Sequence, residues 1–229
     1  MKKLLALLLT LALSLTAVCA LAEETVTALG SSNVSLTPDL ATFTVGVTTQ
    51  DASVTSAQAA NAKTMQSVLD ALYALNVAES DVRTENYGVN ALYGYSNGKI
   101  GDQQYLKGYE VSNGVTVTVR DIAQLGSLLD ATVAAGANQT YGLSFQSTQN
   151  AAAYDQALQA ATKEALRKAE LIAQATGKTV ADVLSLTEQN GGSAFYTANT
   201  TYDIAAASTP IEVGTLTVTA TVEAVVSVE

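Results

Sequence analysis

The sequence predicts an α+β domain in which antiparallel or mixed sheets carry three helices packed on one side. Runs of alternating apolar and polar side chains are typical of half-buried strands, and three longer segments with apolar side chains every three or four residues are typical of helices. Strands and helices interleave along the chain, and two of the strands form a protruding hairpin at about 85–118. Helices that cover one face of a sheet bury both patterns together.

The first 22 residues are typical of a secretory signal peptide. The opening "MKK" precedes an apolar run from Leu4 to Leu15, and Ala20-Leu21-Ala22 fits the small-residue cleavage pattern. This run is short for a membrane span, which needs about 20 apolar residues. We therefore expect cleavage after Ala22, a domain over 23–229 without an integral membrane span, and an extracytoplasmic location in the periplasm, at the cell envelope or outside the cell.

The mature chain is strongly acidic and lacks the residues of several common sites. Residues 23–229 hold nine basic side chains against 21 acidic ones, a formal charge of −12, so we expect no nucleic-acid binding. The single cysteine, Cys19, lies in the predicted signal peptide, and the chain has no histidine. The lack of histidine excludes Ser-His-Asp triads and most zinc sites. We expect no metal, no cofactor and no enzymatic activity.

Alternation, spacing and stop residues predict the elements of the first half. Alternating runs over 25–36 and in "LATFTVGVTTQ" predict two strands. Asp51 can cap a helix after which Asn76 adopts the left-handed conformation that often ends helices. The inward positions of this helix are Val54, Ala57, Met65, Val68, Leu72 and Leu75. The two hairpin strands follow, and the second ends in "GVTVTVR".

The second half continues with two helices and further strands. Asp121 can cap the second helix and Gly136 can end it. Its inward positions are Ile122, Leu125, Leu128, Leu129 and Val133. After a strand in "TYGLSFQST", a third helix runs from Asn150 to Gly177. Its alanine-rich inner face comprises Tyr154, Leu158, Ala161, Ala165 and Ile172. Strands near 180–188 and over 211–228 complete the chain, and the even-numbered residues from Leu216 to Val228 share one face.

Two segments of the chain have similar sequences. The segments "VLDALYALNV" and "LLDATVAAGA" lie sixty residues apart, and each ends a helix just before a strand. One interpretation is a duplicated helix-strand unit, with packed halves at about 25–118 and 119–229. Chance similarity between two helices rich in leucine and alanine is the other.

Five of the ten tyrosines lie within the predicted hairpin. They are Tyr87, Tyr93, Tyr95, Tyr105 and Tyr109. Because all five have odd numbers, as do the valines that should face the core, we expect Tyr87 and Tyr109 to extend the core face. No helix is predicted to cover Tyr93, Tyr95 and Tyr105, which we call the outer tyrosines. Exposed aromatic side chains are typical of partner surfaces, so these three are the candidate contact residues for an oligomer or another partner.

The hairpin register decides whether the outer tyrosines share a face, because directly opposite residues on antiparallel strands point to the same side. A two-residue turn at Asn97-Gly98 would set odd residues opposite even ones and separate the two rows. A longer loop centred near Ile100 instead pairs Tyr95 with Tyr105, Ala91 with Tyr109 and Val89 with Val111. Burial of one apolar face favours the longer loop. We therefore expect the outer tyrosines to lie on one face that meets another subunit.

Two overlapping sequence motifs are candidates for hydrolase chemistry. The segment "GYSNG" fits the G-x-S-x-G pattern, but that elbow requires a histidine base. The overlapping "SNGK" spaces Ser96 and Lys99 as in Ser/Lys hydrolases, although the intervening Asn-Gly favours a turn over the helix that such a pair needs. Five acidic residues are candidates for an acid–base pair or a calcium site: Asp39, Asp51, Asp81, Glu85 and Asp102. They form no calcium-loop pattern and are expected at caps and solvated faces.

Three segments carry a family resemblance: Pro38-Asp39, "VRDIAQLGSLLDA" with Gly136, and "ALQAATKEALRKAELIAQATGK". With them, the chain from about residue 25 to 228 resembles the SIMPL-domain proteins, which include YggE-like and periplasmic immunogenic proteins. Asn76 stands where these proteins often have glycine. The resemblance implies an extracytoplasmic α+β protein, often oligomeric and ring-forming in some members. It also implies a link to oxidative and envelope stress, without an assigned reaction.

These observations together predict an exported, non-enzymatic protein that self-assembles as a homo-oligomer and acts in cell-envelope or oxidative-stress physiology. Two alternatives stay open. One is a Ser/Lys hydrolase that uses Ser96 and Lys99. The other is a surface-binding module that uses Tyr93, Tyr95 and Tyr105 to bind a glycan, a peptide or another envelope protein.

Overall fold

The computed structural model describes residues 23–96, 103–189, 194–197 and 209–229, so the predicted signal peptide lies outside the described residues. The strands are β1 (Thr25–Leu36), β2 (Leu40–Asp51), β3 (Val82–Tyr95), β4 (Gln104–Val119), β5 (Gln139–Gln146), β6 (Val180–Gln189), β7 (Ala194–Thr197) and β8 (Thr215–Val228). The helices are α1 (Val54–Ala74), α2 (Leu125–Ala134) and α3 (Asn150–Ala175). Short 3₁₀ turns at Glu79–Asp81 and Ile122–Gln124 precede β3 and α2. The predicted α+β class is confirmed.

The strands form two antiparallel sheets. Sheet I has the order β1-β8-β6, with β7 paired to β8, and sheet II has the order β3-β4-β2-β5. The chain divides into two compact units that interleave along the sequence. Of the described residues, the first unit comprises 23–33, 154–189 and 219–229, and the second comprises 34–96, 103–153, 194–197 and 209–218. Sheet II, α1 and α2 all belong to the second unit. The duplication of two halves stays a prediction.

One face of sheet II is buried under α1 and α2. Alternate side chains of a strand share a face, and the odd-numbered residues of β2 and β4 point toward the helices. The buried cluster includes Ala41, Phe43, Val45, Val47, Met65, Val68, Leu72, Val115, Val117, Val119, Leu125 and Leu128. Each buried aliphatic side chain contributes roughly 1.5–3 kcal/mol. This cluster is therefore the main apolar core of the second unit.

Asn61 is a polar side chain within the buried face of α1. It is 1% exposed, and its Nδ2 donates hydrogen bonds to the carbonyl oxygens of Val47 at 2.8 Å and Val111 at 2.9 Å. Its Oδ1 has no hydrogen-bond partner. One amide group thus ties α1 to both central strands of sheet II. The apolar spacing of the helix did not predict this residue, since asparagine interrupts the pattern.

The predicted stop residues are confirmed, but the predicted cap of α1 is wrong. Asn76 and Gly136 have positive φ angles of 63° and 108°. The Ser53 side chain, rather than Asp51, accepts a hydrogen bond from the Ser56 amide at the start of α1. Asp51 is still paired with Tyr109 as the last residue of β2, and its Oδ1 accepts from the Ser53 amide at 2.8 Å. The strand continues further than the alternation indicated, so the helix begins later.

The start of α2 agrees with the predicted cap, whereas its inward face differs by one residue. Asp121 Oδ1 accepts from the Ala123 amide at 3.1 Å, although the turn that it caps is a 3₁₀ turn. Val133, predicted to point inward, is 58% exposed, and the adjacent Thr132 is buried. The Thr132 hydroxyl donates to the Leu129 carbonyl at 2.8 Å, so its burial leaves no unpaired donor.

Helix α3 buries an alanine at every fourth position: Ala153, Ala157, Ala161, Ala165, Ala169 and Ala173. Ala161 and Ala165 were predicted, but Ile172 is 45% exposed and its assignment to the inner face is wrong. The small side chains let β1 approach the helix closely. A Cβ atom at Gly30 would lie 2.0 Å from the Ala161 carbonyl oxygen and 2.3 Å from the Ala165 nitrogen. Gly30 is therefore the position at which strand and helix backbones touch.

The last strand begins later than predicted, at Thr215 rather than at 211. Its alternation is confirmed, since the even-numbered side chains from Leu216 to Val226 are buried.

We predict that Gly30→Ala lowers the free energy of unfolding by about 3 kcal/mol or more, because the added methyl group meets backbone atoms that cannot rotate away. Urea denaturation of residues 23–229 measures the change. Gly88→Ala in β3 is the matched control, since the nearest atom to its added Cβ would be 4.0 Å away. Equal effects of the two substitutions would contradict the contact between β1 and α3.

We predict that Asp121→Ala costs about 1 kcal/mol of stability because the cap of the turn before α2 is lost. Asp121→Asn retains a side-chain oxygen and should stay close to the unmodified protein. An alanine variant with an unchanged denaturation midpoint would argue against the cap.

Candidate functional site

The β3–β4 hairpin holds the candidate contact residues and projects beyond β2. The pairing of β2 with β4 ends at Asp51 and Tyr109, so Gln104–Gly108 of β4 and Leu92–Tyr95 of β3, which pairs with them, extend beyond the end of the β2–β4 ladder. We call this projecting part the arm. The Ser96 amide donates to the Gln103 carbonyl at 3.0 Å, which places the connection over residues 97–102. Asn97-Gly98 lies in this connection, outside the described residues, and a two-residue turn is excluded by the pairing of Ser96 with Gln103.

The inner part of the hairpin has the predicted register. Val89 lies opposite Val111 and Ala91 lies opposite Tyr109, as predicted. Because Val111 belongs to the odd-numbered row of β4 that faces the helices, Tyr87, Val89 and Ala91 of β3 point to that side as well.

The register shifts by one residue at the start of the arm. Between Leu92 and Tyr93 the pairing skips Lys107, which is an extra residue in β4 and forms a β-bulge. Beyond the bulge, Tyr93 lies opposite Leu106 and Tyr95 lies opposite Gln104. The predicted pairing of Tyr95 with Tyr105 is wrong. The extra residue moves each side chain of β4 between the bulge and the tip of the hairpin to the other face.

Tyr105 consequently lies on the opposite face from Tyr93 and Tyr95. It is paired with Gly94, and a Cβ atom at Gly94 would lie 2.8 Å from Tyr105 Cζ and 2.9 Å from its Oη. The tyrosine ring thus covers the glycine on the side away from Tyr93. The expectation that all three outer tyrosines share one face is therefore corrected: Leu106 takes the place expected for Tyr105.

An exposed row of large apolar side chains runs along the hairpin. Its members, which we call the aromatic row, are Tyr87, Val89, Tyr93, Tyr95 and Leu106. Their exposed fractions are 52%, 43%, 55%, 38% and 47%. The exposure of the outer tyrosines was predicted. Tyr109, which was expected to extend the core face, is half-buried, and the expected burial of Tyr87 is wrong. Leu106 was missed because only the bulge brings it to this face.

The part of β3 that carries most of the aromatic row, from residue 86 onward, is an uncharged stretch of sheet edge. Strand β3 is the terminal strand of sheet II, and residues 86–96 contain no charged side chain although the whole chain has a formal charge of −10. Edge strands expose backbone groups that can pair with another strand, and proteins often protect them with charges or prolines. The only bulge in β3 lies at Glu85, before the uncharged segment.

An ion pair closes the base of the hairpin. Asp81 immediately precedes β3 and Arg120 immediately follows β4, and the guanidinium donates from Nε to Oδ2 at 2.8 Å and from Nη2 to Oδ1 at 2.7 Å. Asp81 is 8% exposed, whereas the Arg120 side chain is 66% exposed. The hydrogen bonds from Arg120 lower the pKa of the Asp81 carboxyl, and the same contact raises the pKa of Arg120.

A groove of about 290 Å³ lies beside this ion pair, between the segment from Leu75 to Asp81 and the segment from Thr118 to Leu128. Its charged groups already have partners: Asp81 binds Arg120, and Asp121 accepts from the Ala123 amide and from Gln124 Nε2. The groove therefore has the features of a structural junction.

Only one member of the Ser96 and Lys99 pair lies among the described residues. Ser96 is exposed at the end of β3, and Lys99 lies outside the described residues. Of the acidic residues considered in the sequence, Asp39 binds Thr148, and Glu85 accepts hydrogen bonds from Thr44 and Thr116. Asp102 is not among the described residues. In the part of the chain that is described, no three His, Cys, Asp or Glu side chains are grouped as metal ligands would be.

We predict that Arg120→Gln lowers the free energy of unfolding at neutral pH by about 1 kcal/mol, since a charged hydrogen bond contributes about 1.5–3 kcal/mol and exposure of the guanidinium weakens it. The pKa of Asp81 is depressed in the folded state, so this stabilisation is present above the ordinary aspartate pKa of 3.8 and is lost as the pH falls below it. Urea titrations at several pH values measure both effects. The difference between variant and unmodified protein should shrink in acid.

Arg167→Gln is the matched control for this prediction. It removes the exposed bond to Glu164 within α3, which should contribute only about 0.3–0.5 kcal/mol. A penalty for Arg120→Gln that is the same at acidic and neutral pH would contradict the role of the Asp81 carboxylate.

Comparisons with known proteins agree with this architecture. Residues 26–226 match the SIMPL family, which is described as proteins of unknown function (DUF541). A 26 kDa periplasmic immunogenic protein of Brucella melitensis is 29% identical over 160 residues, which is 69% of this chain and 64% of that protein. The uncharacterized protein YggE of Escherichia coli K12 is 30% identical over 159 residues, 69% of this chain and 62% of YggE. The matched segment thus spans less than two thirds of the length of these relatives.

Among the described residues, no helix is both long and apolar enough to span a bilayer. The family match extends over almost all of the residues that form the two sheets and three helices. The chain therefore belongs to the SIMPL family.

Proposed function

We propose that this chain is an exported, non-enzymatic protein that self-associates through the hairpin, and that a second copy of the chain covers the aromatic row. The observation that carries the proposal is the combination of five exposed apolar side chains with an uncharged segment of the edge strand β3. Tyrosine is enriched at protein interfaces because its large ring buries apolar area while its hydroxyl can still form a hydrogen bond.

The charge distribution favours a second copy as the partner. Two copies of residues 23–229, each with a formal charge of −12, repel each other. Residues 86–96 are an 11-residue segment without charge, so two copies can approach there at little electrostatic cost. A strand edge is also self-complementary: two β3 edges that pair antiparallel satisfy each other's backbone groups about a two-fold axis.

Two observations bear on the cellular setting of the chain. The first 22 residues are typical of a signal peptide, and the Brucella relative is named a periplasmic protein. These two observations support an extracytoplasmic location. The family resemblance supports a role in cell-envelope or oxidative-stress physiology. In this role the protein acts as an assembly and does not catalyse a reaction.

We predict that the triple variant Tyr93→Ser, Tyr95→Ser and Leu106→Ser dissociates the assembly and leaves the monomer folded, because all three side chains are exposed on one face of the arm. Size-exclusion chromatography with light scattering on residues 23–229 measures the mass, and circular dichroism measures the fold. The unmodified chain should be an oligomer.

Tyr105→Ser is the matched control, since it removes an equally exposed tyrosine from the other face of the same arm. It should leave the assembly intact. A monomeric unmodified chain, or an oligomer that only the Tyr105 variant dissociates, would contradict the proposal. A monomer that a serine-directed probe labels at Ser96 would favour the hydrolase instead.

A further inference from the structure

Strand β3 pairs with β4 on one side and is the terminal strand of the described part of sheet II. In an antiparallel sheet, the N–H and C=O groups of alternate residues point to the same neighbouring strand. The Ser96 amide donates to the Gln103 carbonyl at 3.0 Å, so the backbone of Ser96 points toward the β4 side. The even-numbered residues of β3 therefore bond to β4, and the odd-numbered residues from Tyr87 to Tyr95 point their backbone groups to the free edge.

The hydrogen bonds on the other side of the sheet give the same assignment. The Asn138 amide donates to the Gly46 carbonyl at 3.1 Å, so Gly46 of β2 points toward β5 and the odd-numbered residues of β2 point toward β4. These residues lie opposite odd-numbered residues of β4, which leaves even-numbered residues such as Ser112 to bond to β3. Ser112 lies opposite Gly88, an even-numbered residue of β3. The extra residue at the start of the arm belongs to β4, so the alternation of β3 continues unbroken to its end.

The free edge sets a condition on a second copy that pairs with it. Residues directly opposite each other in an antiparallel pair either both exchange backbone hydrogen bonds or both do not. An odd-numbered residue of one copy must therefore lie opposite an odd-numbered residue of the other. The two-fold axis that relates two identical antiparallel strands then passes through a residue and not between two residues.

The side chains of β3 are self-complementary about Ala91. An axis at this residue places Tyr87 opposite Tyr95. It also places Val89 opposite Tyr93, so the four large side chains that β3 contributes to the aromatic row meet in pairs. Opposite residues share a face of the sheet, and aromatic–aromatic and aromatic–β-branched pairs are favourable across antiparallel strands. Each copy thereby covers the flank of the aromatic row of the other.

The other face of β3 is compatible with the same axis. There Gly88 lies opposite Gly94. Glycine often marks a place where another backbone approaches closely, because it has no side chain. A Cβ atom at Gly88 would be 4.0 Å from its nearest neighbour, so this position leaves room beside the Tyr105 ring that covers Gly94. The remaining large side chain on this face, Leu92, lies opposite Asn90.

Neighbouring axes fit the strand less well. The axis at Ala91 is the one that pairs the whole uncharged segment with itself. An axis one residue earlier would set Tyr95 opposite Glu85, which is charged and is the extra residue of the β3 bulge. An axis one residue later would set Tyr87 opposite residue 97, beyond the end of β3. Both shifts therefore lose an aromatic pair of the row.

We propose that residues 86–96 of β3 pair antiparallel with the same residues of a second copy about an axis at Ala91, which joins two copies of sheet II into one continuous sheet. This inference rests on the proposed self-association and adds its register. The odd-numbered residues from 87 to 95 of the two copies exchange backbone hydrogen bonds. Because the pairing depends on the order of the side chains as well as on the backbone, it selects this chain over an unrelated strand.

Disulfide trapping tests the register, because residues 23–229 contain no cysteine and a single introduced cysteine can link only to another chain. In this register Asn90 and Leu92 form a non-hydrogen-bonded pair with Cα atoms about 4.5 Å apart, a separation that allows a disulfide. Asn90→Cys and Leu92→Cys should each stay unlinked alone. When the two reduced variants are mixed and then oxidised, they should form a linked dimer on a non-reducing gel.

Ala91→Cys is an independent variant for the same register. Ala91 lies opposite itself across the axis, at a Cα separation of about 5.5 Å that also allows a disulfide, so this variant should link alone. A mixture of Asn90→Cys with Ser96→Cys is the matched control. These two positions are not opposite each other in this register, so the mixture should stay unlinked. Circular dichroism and light scattering on the reduced variants measure their fold and assembly.

The outcomes separate the register from the self-association. Linkage of Asn90→Cys alone or of Leu92→Cys alone would place the axis at that residue and overturn the register, while two copies would still meet at β3. If Ala91→Cys and the mixture of Asn90→Cys with Leu92→Cys both stay unlinked in a folded oligomer, the free edges do not pair and the inference is overturned. A monomeric chain would overturn the self-association itself and the inference with it.

Discussion

The pairing register between β3 and β4 is the constraint on which both surfaces of sheet II depend. Each strand contains one extra residue, Glu85 in β3 and Lys107 in β4. The bulge at Lys107 brings Leu106 beside Tyr93 and sends Tyr105 to the opposite face. The bulge at Glu85 places a carboxylate where two threonine hydroxyls can reach it. A hairpin without bulges would pair the same residues differently and would present different surfaces.

The buried face of sheet II could be predicted from the sequence because it depends on local periodicity. Phe43 and Val117 lie in strands whose apolar and polar side chains alternate without a break. Asn76 and Gly136 end helices because each adopts a positive φ angle, which depends only on the residue and its immediate neighbours. Ile172 and Val133 were assigned to buried faces because they are apolar and continue the helical spacing of the inward positions. In α3, close contact with β1 selects alanine instead, so the larger side chain points to solvent.

The candidate sites were predicted only in part, because they combine strands that are distant in sequence. The exposure of Tyr93 and Tyr95 follows from the length of the hairpin relative to β2, which can be read from the chain. The bulge at Lys107 leaves the odd-numbered spacing of the tyrosines intact, so the sequence contains no sign of it. The contact between Glu85 and Thr44 joins residues 41 positions apart, and no local pattern indicates it.

Nuclear Overhauser effects across the arm test the register most directly. In residues 23–229, the account predicts inter-strand contacts between the backbones of Tyr93 and Leu106 and of Tyr95 and Gln104, together with contacts between the Tyr105 ring and Gly94. Backbone contacts that pair Tyr93 with Lys107 and Tyr95 with Tyr105 would show an arm without the bulge. That result would return Tyr105 to the face of Tyr93 and would contradict the aromatic row described here.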